Sequence, residues 1–77
     1  MRSEWLRYVK RIADSFPDVS IKQHLYKECM EYMLAGNDEE MVDLFNLAAI
    51  LFIQRYGKIP YDKLLDKLEK RKEKYGV

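Results

Sequence analysis

Four acidic residues flank a two-residue turn signal at the centre of the chain: Glu28 and Glu31 precede Gly36-Asn37, and Glu40 and Asp43 follow it. Residues three apart on a helix lie on one side of it, about a turn from each other. Folded as an antiparallel helical hairpin about Gly36-Asn37, the chain brings Glu31 and Asp43 to nearly the same level, with Glu28 and Glu40 about one turn to either side. Carboxylate oxygens are hard donors. Four of them facing one another make a site for Mg2+ or Mn2+, the kind that holds an ion against a phosphate.

The same residues admit a purely structural reading. Asn37 and Glu40 have the spacing of a capping box, which needs no metal. Glu28 and Glu31 can stay solvated, with Lys22 and Lys27 near for surface pairing. Asp43 stands on the side of its helix that carries Leu47 and Ile50, so it is expected to be compensated by Lys or Arg, a hydrogen-bond donor, water or a metal. His24 shares the stripe of Glu28 and Glu31, as a boundary residue or a base assisting the site. Cys29 is expected to face the core as an inert packing residue, and Met30, Met33 and Met41 to fill core or line a base pocket. Asn46 either orients the Asp43 carboxylate or a substrate, or cross-links two helices.

Turn and cap signals divide the chain that must position these groups into four helices, with no strand-like alternation. The first is predicted from about Ser3 to Ser15, with Trp5, Val9, Ile12 and Phe16 at helical spacing and Pro17 as its stop. Ser20 and Gln23 have the spacing of a capping box that opens the second, whose apolar face reads Ile21, Leu25, Cys29 and Met33. Gly36 suits the left-handed residue after a helix terminus. The third helix, about Asp38 to Tyr56, is apolar almost all round from Leu44 to Ile53, so other helices or a second subunit must cover it on several sides. Gly57 ends it. Ile59-Pro60 leads into a fourth helix, about Tyr61 to Lys74, with Tyr61, Leu65, Leu68 and Tyr75 on its expected buried side.

The fold class is therefore all-α: a compact four-helix bundle around a central helical hairpin, one domain over residues 1–77. A chain of 77 residues buries only part of its surface, which favours a homodimer sharing its core. The single cysteine excludes an internal disulfide and suits a reducing, cytoplasmic setting. No apolar run is long enough for a membrane span. A net charge of +1 argues against dedicated nucleic-acid binding, although Lys67, Lys70 and Arg71 crowd the last helix.

Glu28-Cys29-Met30-Glu31 and Glu40-Met41-Val42-Asp43 resemble the E-x-x-E and E-x-x-D motifs of the all-α nucleoside triphosphate pyrophosphohydrolases, the MazG-like proteins and their phosphoribosyl-ATP pyrophosphohydrolase relatives. The similarity runs from about Ile21 to the end of the chain. It takes in the apolar helix after Asp43, the loop at Gly57 and the basic-aromatic tail ending at Tyr75. Lys27 stands where many members carry a second acid. The resemblance implies a dimeric bundle in which Glu28, Glu31, Glu40 and Asp43 hold Mg2+ and catalyse cleavage of a nucleoside triphosphate between its α- and β-phosphates. Lys67, Lys70 and Arg71 would then meet phosphate. The competing reading is a non-enzymatic interaction or dimerisation module built on the apolar third helix and exposed aromatics such as Trp5 and Tyr8.

Overall fold

In the computed structural model residues 2–76 are described; Met1 and Val77, the ends of the predicted domain, lie outside them. Four helices account for nearly all of this: α1 (Arg2–Ser15), α2 (Asp18–Ala35), α3 (Asp38–Tyr56) and α4 (Tyr61–Tyr75), with no strand among the described residues. Their joints follow local chemistry. Gly36 and Gly57 take φ of 67° and 73°, the left-handed conformation that costs a residue with a Cβ. Asn37 caps α3 by accepting from the Glu40 backbone N–H at 3.1 Å. The second helix departs from expectation. It opens two residues early, at Asp18, and Pro17 precedes it without a side-chain cap, so the Ser20–Gln23 box is not used. Proline suits this place because the first turn of a helix leaves its N–H groups unpaired anyway.

Helix α3 is the centre of the helical bundle and packs against both α1 and α2. Val9, Ile21, Ala49, Ile50 and Ile53 are buried and form the core, with Trp5, Leu6, Leu47 and Leu51 packed around it. Two long-range polar links fix α1 on α3. The Trp5 indole N–H donates to Asn46 Oδ1 at 2.8 Å, and Gln54 Nε2 donates to the Ala13 and Phe16 carbonyls at 3.2 and 2.9 Å. Gln54 thus satisfies acceptors that the end of α1 leaves unpaired. Asn46 takes the cross-linking role of the two open to it.

Two expected apolar faces are corrected. On α2 the covered stripe is Ile21, Leu25, Glu28 and Tyr32, while Cys29 is exposed and Met33 and Leu34 are 82% and 84% exposed. Repeated four-residue steps drift about 40° each round a helix, so the row that starts Ile21-Leu25 must shift to position 28 to stay on one face. On α4 the expected buried side is open: Tyr61, Leu65, Leu68 and Tyr75 are all exposed, and the helix has no buried residue. Its tether is Pro60, which is fully buried at the end of the α3–α4 loop.

Candidate functional site

The stripe of α2 that faces α3 begins apolar, at Ile21 and Leu25, and turns acidic at Glu28 and Glu31. The facing stripe of α3 does the same in the other sense, from Leu51, Leu47 and Leu44 to Glu40. Near the turn, then, charged side chains occupy the packed seam while Met30, Met33 and Leu34 point to solvent. A seam patterned that way runs against the usual burial preference.

Glu28, Glu31 and Glu40 each bring one carboxylate oxygen within 4.8 Å of the other two, and all three residues are half-buried. Glu40 Oε2 is buried and has no hydrogen-bond partner among the described residues. Only one half of the capping box is made: Asn37 receives the Glu40 backbone N–H, but the Glu40 carboxylate is turned to the other two acids. The Glu28 carboxyl is pushed above its ordinary value of 4.5, first by burial and then by the charges of Glu31, Asp43 and Glu40, against a smaller opposing effect of Lys27. Lys27 itself reaches Glu31 Oε1 only at 4.0 Å, from a side chain that is largely in water, so it relieves little of the crowding.

Asp43 departs from the expected foursome. It is exposed and outside the converging three, although its charge is felt at Glu28. Leu44 and Leu47 occupy the seam, and Asp43 stands about 100° round the helix from Leu44, at the rim. It is open to water there, which is one of the compensations expected for it. His24 is likewise exposed. Lys67, Lys70 and Arg71 lie along α4 in a shallow depression with Lys74 and Tyr75, and Lys70 pairs with Asp66 at 3.2 Å. Tyr32 was not picked out by spacing alone. It completes the covered row of α2, and its hydroxyl reaches Met41 Sδ at 4.0 Å beside the turn.

The donor set fits a hard divalent cation. Three oxygens no more than 4.8 Å apart leave a central point at most about 2.8 Å from each, close to the 2.3–2.6 Å of Ca2+–oxygen bonds and longer than the 2.0–2.1 Å of Mg2+. Small side-chain rotations close that gap. A cation there would also give the orphaned Glu40 oxygen its missing partner.

A second feature was not foreseen from spacing: an apolar groove of about 630 Å3, lined by Trp5, Phe45, Ala48, Phe52, Tyr61 and Leu64 among others. Helix α3 supplies much of it at helical spacing, Phe45, Ala48, Ala49 and Phe52, while α1 and the start of α4 supply further walls, so the groove exists only once the three elements are brought together. No helix among the described residues is long and apolar enough to cross a membrane. Comparison with protein-family models, curated proteins and solved structures gives no match to this chain.

Proposed function

We propose that α2 and α3 form an antiparallel hairpin whose acidic seam binds a divalent cation, and that this site serves the Mg2+-dependent hydrolysis of a nucleoside triphosphate between its α- and β-phosphates. The observation that carries the reading is the convergence of Glu28, Glu31 and Glu40 from two helices, with an unpartnered carboxylate oxygen among them. Without a cation these residues crowd like charges on a packed seam, which folding alone does not favour. The choice of reaction rests on the resemblance of the paired acidic motifs to those of MazG-like pyrophosphohydrolases.

Glu28, Glu31 and Glu40 would hold Mg2+ or Mn2+, and Asp43 at the rim would accept hydrogen bonds from its hydration shell. When bound, the ion supplies neutralisation of phosphate charge and a lowered pKa for water. Lys67, Lys70 and Arg71 are the cations proposed for the phosphate tail.

The test is pyrophosphate release from a panel of canonical and modified nucleoside triphosphates with Mg2+ or Mn2+, with Glu31→Gln and Glu40→Gln as controls. Activity that depends on both residues supports the reading. Activity that survives both substitutions, or no activity in protein that binds Mn2+, removes the hydrolase assignment. A second reading, an interaction module that forms homodimers, is favoured by a separate observation. Among the described residues five apolar side chains form the buried core while seventeen large ones are exposed, more apolar surface than a soluble monomer usually leaves open. The two readings are compatible, and we propose the homodimer for both.

A further inference from the structure

Helix α4 and the apolar groove are both unsatisfied within one chain. The groove runs along α3 between α1 and the first turn of α4, with Ala48 and Ala49 as its floor and Trp5, Phe45 and Phe52 among its walls. Phe45 is 68% exposed and touches Trp5 from the side, with ring centroids 6.1 Å apart. The floor of small residues lets a helix approach closely. Helix α4 carries the matching shape, an apolar stripe of Tyr61, Leu64, Leu65, Leu68 and Tyr75 at helical spacing. The chain cannot fill its own groove with that stripe. Buried Pro60 fixes where α4 starts, Tyr61 and Leu64 already serve as groove wall, and the later turns are left uncovered. The radius of gyration is 14.1 Å, whereas a compact body of 77 residues has about 11.5 Å.

We infer that the groove receives the later turns of α4 from a second copy of this chain, with Leu65, Leu68 and Tyr75 of one copy seated on Ala48, Phe45 and Phe52 of the other. The inference rests on the homodimer reading above and specifies its interface. One two-fold axis makes the exchange reciprocal, so both grooves and both stripes are covered and the contact closes. The area suffices. Phe45, Tyr61, Leu65, Leu68 and Tyr75 are each 57–68% exposed. Roughly 100 Å2 apiece gives about 500 Å2 per chain, or about 1,000 Å2 in all, the least that a specific interface needs. Pairing α4 against α4 alone would leave the groove open, and pairing groove against groove would leave the stripe open.

Sedimentation equilibrium of three proteins tests this: wild type, Leu68→Glu on the stripe and Phe45→Glu in the groove. Wild type is expected at twice the chain mass, and each substitution is expected to weaken association at least a hundredfold. An equimolar mixture of the two variants is expected to recover part of it, because the unaltered stripe of Phe45→Glu meets the unaltered groove of Leu68→Glu. Circular dichroism guards against misfolding: Leu68 lies outside the buried core, so Leu68→Glu should keep wild-type helicity. A monomeric wild type, an effect of only one substitution, or a mixture no more associated than its components would each overturn the inference. The Mn2+-dependent melting shift, measured on monomeric Leu68→Glu, reports on the cation site separately. Loss of either property therefore leaves the other readable.

Discussion

Replacing Glu40 with glutamine isolates the charge on the seam, because it keeps the shape of the side chain and leaves the Asn37 cap on the backbone N–H intact. Two like charges 4.8 Å apart, the limit for Glu40 and Glu31, repel by roughly 1 kcal/mol even at the dielectric constant of water. The substitution also puts an amide where Oε2 is buried without a partner, and that amide can donate to a neighbouring carboxylate. The helix dipole loses little, since Asp38 and Glu39 remain in the first turn of α3. In chelator, Glu40→Gln is therefore expected to be more stable than wild type by about 1 kcal/mol. For a domain of this size that raises Tm by roughly 4–8 °C. With divalent cation the order reverses. A free ion at a hundred times its dissociation constant stabilises the wild type by about 2.7 kcal/mol, or roughly 10–20 °C in Tm, and should leave Glu40→Gln nearly unmoved. Thermal melts with chelator, Mg2+, Mn2+ and Ca2+ read both effects. If Glu40→Gln melts lower than wild type in chelator and no cation moves the wild type, the carboxylates are a structural feature and the cation reading fails.

Four further outcomes follow from the same structure. Because burial and the neighbouring acids hold the Glu28 proton more tightly in the folded chain, metal-free stability should rise as pH falls through the window just above 4.5, and be lost again as pH rises through the folded pKa. Urea melts should find that slope in wild type and not in Glu28→Gln. Asp18, lowered from 3.8 first by its hydrogen bond with Lys22 and then by that charge, contributes the opposite slope, with stability lost as pH falls below that range. Asn46→Ala strands the Trp5 indole N–H and should cost about 1–3 kcal/mol in urea denaturation, while Asn46→Asp, which keeps an acceptor, should cost less. Asp43→Asn should weaken Mn2+ affinity by calorimetry much less than Glu31→Gln, because Asp43 stands at the rim and outside the converging three; equal losses would place Asp43 among the ligands.

The sequence by itself determined the four helices and the joints at either end of α3, though not the start of α2, because these joints depend on neighbours within a turn. Gly36, Asn37 and Gly57 act through their own φ and through hydrogen bonds spanning three or four residues, and the boundaries of α3 follow from them. It also put Glu28, Glu31 and Glu40 near one another, since a two-residue turn leaves little freedom in how its flanks can align. What lay beyond it was the rotation of each helix about its axis. An error of one position turns a face by about 100°, enough to read Cys29 and Met33 as core, to leave Glu28 beside the seam rather than in it, and to count Asp43 among the inner acids. Only tertiary packing fixes that rotation, because it depends on which side chains of α3 the other helices meet. The position of α4 was beyond local pattern for a stronger reason. Its amphipathic stripe announces that it must be covered, but the stripe reads the same whether the cover is its own bundle or another surface. Buried Pro60 and the open groove beside it decide that the stripe stays uncovered within the chain.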